Sequence, residues 1–166
     1  MGFEYEELFS KLSRQFKNTH FVIIDSAVTG KNTASLIFRE HEGGFLAGAF
    51  AALVSKGKPV GFIGGMMIPP VERFSDGFVE GAKHINPKIK VEIRYVGKDP
   101  SAFANKAEAK KLALQLYKSG VQIIFHAAGG AGLGVIEAAV DAKRYVIGVD
   151  SDQSALAPGN VITSVE

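Results

Sequence analysis

Two aspartates, one phenylalanine and a glycine-rich run are the residues of this 166-residue chain whose types and positions suit them to hold a small polar ligand. Asp25 and Asp150 each close a short apolar run, Phe21-Val22-Ile23-Ile24 and Val146-Ile147-Gly148-Val149. A carboxylate at the end of a buried strand accepts hydrogen bonds from ligand hydroxyls; it serves equally well as the N-cap of the next segment. The pattern leaves both readings open, with Asp152 a competing cap. Phe103 falls in the first turn of a helix expected after Asp99-Pro100-Ser101. There it offers a planar ligand a stacking face, worth ~1–3 kcal/mol per base in nucleic-acid complexes, or it is an ordinary staple residue. Gly130, Gly132 and Gly134 follow G-x-G-x-G, so the dinucleotide fingerprint G-x-G-x-x-G fails at its third position, and no Walker lysine follows. Backbone amides at that helix start can still receive an oxygen-rich ligand.

Other chemistry is disfavoured. His20, His41, His84 and His126 show no metal-ligand spacing, and only His126 stands at a strand end, where it reads as a histidine satisfied behind the site. Ser151 and Ser154 lack a nucleophile-elbow context. No nucleophile, base and orienting group come together, so an enzyme is not expected. With no cysteine, disulfides, thiolate metal sites and a cysteine nucleophile are excluded. No cofactor or metal is expected.

These residues need elements to position them. Apolar spacing predicts helices over 4–16, 43–54, 69–84, about 100–118 and 132–142, and strands over 21–24, 33–38, 60–63, 91–96, 121–125, 145–149 and 160–165. Alternating βα units with strands apolar on both faces imply a parallel, doubly wound α/β sheet, with ligands at the carboxyl ends of its strands. Four turns then share one rim: Gly64-Gly65, Gly97-Lys98-Asp99, the segment 126–134, and Asp150-Ser151-Asp152-Gln153. No internal repeat or low-complexity segment stands out. The best boundary candidate is Ser55 to Pro59.

A hydrophobic share of 46% with 22% charged residues excludes disorder. No apolar run reaches the ~18 residues of a membrane span. A formal charge of +2, from 19 basic and 17 acidic residues, gives no basic surface, so no nucleic-acid partner is expected. The acidic start Met1-Gly2-Phe3-Glu4-Tyr5-Glu6-Glu7 lacks the basic and apolar regions of a signal peptide, and a lipobox needs cysteine; as written, the chain is expected to be cytoplasmic.

The runs Glu42-Gly43-Gly44-Phe45-Leu46-Ala47-Gly48, Val60-Gly61-Phe62-Ile63-Gly64-Gly65-Met66, Ala127-Ala128-Gly129-Gly130-Ala131-Gly132 and Val146-Ile147-Gly148-Val149-Asp150-Ser151-Asp152-Gln153 resemble the basic membrane protein family. These are substrate-binding lipoproteins of ABC importers, similar to the purine nucleoside receptor A. The resemblance implies a type I periplasmic-binding-protein fold: two lobes, a hinge, and a purine nucleoside clamped between them. Residues 1–57 would be a remnant of the N-terminal lobe, 58–160 the C-terminal lobe, and 161–166 the start of the crossover strand. It further implies Asp25 as a ligand acid of the first lobe, Phe103 as the aromatic on the base, Gly129 as a backbone contact and Asp150 as the acid on the ribose hydroxyls. An ABC permease would be the partner and the membrane's outer side the location. The family's opening strand, its Asp-Asn loop, a second aromatic and a late lysine have no counterpart here. Weak nucleoside binding and self-association through uncovered apolar surface are therefore expected. The competing expectation is a cytoplasmic regulatory or sensor protein on the same scaffold; a Rossmann-type enzyme is disfavoured by the broken glycine spacing.

Overall fold

The structure is a computed structural model and describes residues 5–166. The chain divides into two compact units, Met1–Arg39 and Glu40–Glu166.

The first unit contains α1 (Glu6–Gln15) and two parallel strands, β1 (Phe21–Ile24) and β2 (Thr33–Leu36), in register from Phe21↔Thr33 to Ile24↔Leu36. The helix expected from Glu4 starts within the described residues at Glu6; Glu4 lies outside them. Phe9 and Ile23 are fully buried, with Phe9 edge-on to Phe21 at 5.8 Å between centroids. Strand alternation sends the other side chains outward, leaving Ile24 and Leu36 exposed.

The second unit is a five-stranded parallel sheet in the order β4-β3-β5-β6-β7, formed by Val60–Gly64 (β3), Val91–Tyr95 (β4), Ile123–Ala127 (β5), Tyr145–Val149 (β6) and Val161–Val165 (β7). The central β3 and β5 are buried at every residue, as their continuous apolar runs require. Helices α2 (Glu40–Ser55) and α3 (Pro69–Ile85) pack over Phe62, Phe125 and Ile147. Helices α4 (Lys106–Lys118) and α5 (Gly132–Ala142) pack over Ile63, Ile124 and Val146.

The boundary expected at Ser55 to Pro59 is not where the compact units part. They separate before Glu40, because α2 packs closely on α3. The two helices cross through paired glycines, Gly44 and Gly48 on one, Gly77 and Gly81 on the other. A methyl on Gly44 or Gly48 would overlap the backbone at Phe74 or Phe78, and one on Gly77 or Gly81 the backbone at His41 or Phe45. Glu40, 6% exposed, adds a bidentate pair with Arg73 at 2.7 and 3.1 Å. Small residues therefore give α2 its partner, while its other side leaves Leu46 and Leu53 exposed.

The structure also contains a repeated module that simple alignment of the residues conceals. In both α1-β1-β2 and α5-β6-β7, a helix precedes two parallel strands, the first ending in an aspartate. Phe21 N–H donates to the Asn32 carbonyl at 2.9 Å, and Val146 N–H to that of Asn160 at 2.9 Å. The Asn32 and Asn160 side chains both donate to carbonyls around the end of the preceding helix. Val28 N–H donates to Ser35 Oγ at 2.9 Å, and Gln153 N–H to Ser164 Oγ at 3.0 Å. The second copy has a longer turn and a bulge, its register passing from Val146↔Val161 to Ile147↔Thr163.

Candidate functional site

At the carboxyl edge of the second unit the turns are bonded side to side. Val96 N–H donates to the Gly64 carbonyl at 2.9 Å, Gly97 N–H to that of Gly65 at 3.1 Å, and Gly65 N–H to that of Ala127 at 3.0 Å. The turns after β3, β4 and β5 thus form one rim.

Phe103 reaches this rim from a short 3-10 turn, Pro100–Ala104, rather than from the first turn of a long helix. Asp99 starts that turn by accepting from Ser101 N–H at 3.0 Å. Asn105 ends it and caps α4 by accepting from Glu108 N–H at 3.1 Å, a capping signal that the helical spacing of 109, 112 and 116 overshadowed. The half-buried Phe103 ring lies over Gly65, where a methyl group would overlap it; a methyl on Gly129 would stand 3.5 Å from its Cδ1. Gly129 is exposed with φ +53°, at the 3-10 turn that leads into α5.

Asp150 follows β6 in the left-handed region, φ +68°, which aspartate tolerates better than most residues. Its N–H donates to the Val165 carbonyl at 2.8 Å. The capping role falls to Asp152, which accepts from Ser154 N–H at 2.9 Å. No described residue donates to the Asp150 carboxylate. The residue is solvent-accessible, yet enough protein surrounds the carboxyl group for desolvation to push its pKa above the ordinary carboxylate value. Continuing the registers Gly64↔Ala127 and Phe125↔Ile147 sets Gly65, Ala128 and Asp150 abreast on three adjacent strands. The aromatic support and the acid are therefore separated by two strand spacings, roughly 10 Å.

His126 is not at a strand end. The strand expected over 121–125 runs to Ala127, placing His126 inside it and fully buried. Its Nε2 lies 2.9 Å from Gln153 Oε1, and burial pushes its pKa down to about 4. Gln153 and Gly65 stand in the sequence reading only as members of rim turns, with no role of their own. A buried histidine needs a partner, and the only signal for Gln153 was its place in the Asp150 to Gln153 run. Asp25 closes β1 with φ +63°, its N–H donating to the Leu36 carbonyl at 3.0 Å, and belongs to the first unit. The structure brings Phe103, Gly129 and Asp150 to one edge. Among the described residues no group of three His, Cys, Asp or Glu side chains could hold a metal ion, and no helix is long and apolar enough to cross a membrane.

A parallel five-stranded sheet between two helix pairs, with its polar residues on the carboxyl edge, is a lobe of the type I periplasmic-binding-protein fold. A solute-binding protein of an ABC transporter from Aeropyrum pernix K1 superposes with a TM-score of 0.85 at 28% identity, over 98% of this chain and 48% of that one. A transcriptional activator of the comK gene from Bacillus halodurans does so with a TM-score of 0.83 at 32% identity, over 97% and 54%. Residues 1–165 match the family described as "ABC transporter substrate-binding protein PnrA-like", and the chain belongs to that family. Basic membrane protein A1 of Borrelia garinii subsp. bavariensis is 38% identical over 99% of this chain and 49% of its own length. The ABC transporter nucleoside-binding protein BmpA of Lactococcus lactis subsp. cremoris is 37% identical over 94% and 46%. The chain spans about half the length of these curated relatives.

Proposed function

We propose that the carboxyl edge of the second unit binds a purine nucleoside as part of a solute-binding protein that delivers it to an ABC permease outside the cell membrane. The observation that carries this reading is the Asp150 carboxylate, accessible and without a described donor on the rim that also carries the Phe103 ring. A carboxylate so placed accepts two vicinal hydroxyls, and Phe103 supplies a stacking surface two strands away. Gly129, with no side chain, lets a ligand approach the backbone at the start of α5. Asp25 is the corresponding acid of the first unit, in the same hydrogen-bond plan. The nucleoside-binding relative from Lactococcus lactis supports the ligand class. The 1–57 and 58–160 lobes implied by the resemblance are replaced in this reading by 1–39 and 40–166.

Titrating adenosine, inosine and guanosine at millimolar concentration into the ¹⁵N-labelled chain tests this directly. Amide shifts are expected at Gly65, Phe103, Gly129 and Asp150, with ribose-free bases perturbing Asp150 little. No shift at these positions with any nucleoside refutes the reading. A second reading, a regulatory protein on the same scaffold, is favoured by the comK activator's similarity. It predicts the same ligand shifts together with retention of the chain on a regulatory DNA or protein complex, and no binding to permease-containing vesicles.

A further inference from the structure

We infer that His126 and Gln153 are positioning residues that hold the Asp150 turn from inside the sheet, so that its carboxylate meets the ligand already oriented. This rests on the ligand role proposed for Asp150. Gln153 Oε1 is the junction of the arrangement: it lies 2.9 Å from His126 Nε2 and accepts Val149 N–H at 3.3 Å. An amide oxygen only accepts, so the imidazole proton is assigned to Nε2. The Gln153 backbone N–H in turn donates to Ser164 Oγ at 3.0 Å on β7. The residues on either side of the Asp150 turn are thereby tied to β5 within the sheet and to β7 beside it.

Two glycines make room for this strut. A methyl on Gly132 would overlap the His126 ring, and one on Gly148 would stand 2.5 Å from Gln153 Oε1 and 2.6 Å from Ser164 Oγ. The arrangement also carries a cost, because His126 Nδ1 is buried with no hydrogen-bond partner. An apolar side chain at 126 would avoid that cost and fill the same core. What it would not do is hold the Gln153 oxygen against Val149, next to a residue kept at φ +68°. In the first unit Val28 occupies the place of Gln153, and its side chain has no acceptor to offer. The strut through Gln153 Oε1 thus has no counterpart at Val28.

The test compares Gln153→Met, which keeps length and loses the acceptor, with Gln153→Glu, which keeps an acceptor for both donors; His126→Leu removes the other end. Amide hydrogen exchange is read without ligand, and adenosine affinity by shift titration. Gln153→Met and His126→Leu are expected to speed exchange at Val149 and Asp150 about tenfold, the effect of losing one hydrogen bond, while Phe62 and Ile124 in mid-sheet change less than twofold. Adenosine binding should weaken by a similar factor. Gln153→Glu should stay within about threefold of the parent in both. Unchanged exchange at Val149 and Asp150 in Gln153→Met, a uniform rise across the sheet, or equal damage by Gln153→Glu overturns the inference. If the parent chain binds no adenosine, the proposed function falls and exchange alone decides the bracing.

Discussion

Replacing Asp150 by asparagine should stabilise the fold at neutral pH while weakening the ligand hold. Desolvation raises the carboxyl pKa in the folded chain above its unfolded value. Such a group favours the folded state fully below the unfolded pKa, near 3.9. That contribution is lost as pH rises through the folded value, and above it the buried part of the charge opposes folding. Asparagine carries no charge, has nearly the same shape and tolerates φ +68° as aspartate does. Because Asp150 is solvent-accessible, screening holds the gain to within about 1 kcal/mol, or ~2–4 °C for a chain of this size. Alanine removes the charge but not the strain of the left-handed conformation, roughly 1–2 kcal/mol, so Asp150→Ala should melt lower than Asp150→Asn. On the binding side, hydrogen bonds to a charged group contribute ~1.5–3 kcal/mol. Losing one leaves nucleoside affinity about 10- to 150-fold lower.

Thermal scans of parent, Asp150→Asn and Asp150→Ala at pH 3 and pH 7, with adenosine titrations at pH 7, measure both sides. The expected pattern is Asp150→Asn above the parent at pH 7, the two alike at pH 3, and ligand affinity lost in both variants. If Asp150→Asn melts below the parent at pH 7, the carboxylate is satisfied within the protein and is not an acceptor held ready for a ligand.

Three further outcomes follow from the packing. Gly48→Ala places a methyl into the Phe78 backbone and should cost at least about 2 kcal/mol, read as a fall of roughly 4–8 °C in thermal melting; a change under 1 °C would mean that α2 and α3 do not cross at this distance. Glu40→Gln removes the charge from the hydrogen bonds with the partly exposed Arg73 and should destabilise by about 1.5–3 kcal/mol. Desolvation raises the Glu40 pKa, but the hydrogen bonds and charge of Arg73 outweigh it and the net shift is downward from 4.5; the parent should therefore lose this stability as pH falls below 4.5, whereas Glu40→Gln shows no such loss in denaturant titrations. Finally, Ile24 and Leu36, exposed on the two-stranded sheet, should support self-association: sedimentation should show mass rising with concentration, and Ile24→Lys with Leu36→Lys should suppress it.

Most of the second unit was legible because its inner strands, β3, β5 and β6, are buried on both faces. Val60-Gly61-Phe62-Ile63 and Val146-Ile147-Gly148-Val149 can hardly be anything but interior parallel strands once helical stretches separate them. Phe103, Gly129 and Asp150 could be placed on one edge for the same reason, since every βα turn leaves the same side of such a sheet. The allegiance of α2 was not legible. Gly44 and Gly48 announce a close helix contact, but a pair of small residues four apart does not say which helix approaches. Nor was the repeated module: Asp25 and Asn32 are seven residues apart, Asp150 and Asn160 ten, and the correspondence lies in backbone hydrogen bonds that a direct comparison of letters does not register. His126 and Gln153, 27 residues apart, meet only because β5 and β6 are neighbours.

The repeat turns that hidden correspondence into a measurement. Asp25 and Asp150 look equivalent in sequence, and both donate an N–H to the neighbouring strand, at 3.0 and 2.8 Å. Both turns have a backbone N–H, of Val28 or Gln153, donating to a serine hydroxyl, and the second turn adds an acceptor shared with a buried imidazole. A two-stranded sheet exchanges its amides faster than a five-stranded one, so absolute rates would only report unit stability. The informative quantity is each aspartate's rate relative to the start of its own strand, Asp25 against Phe21 and Asp150 against Val146. The first ratio should exceed the second by about two- to tenfold, the worth of one additional hydrogen bond. Equal ratios would mean that the backbone ladder alone fixes both turns, leaving the buried histidine without a part in shaping the acid's position.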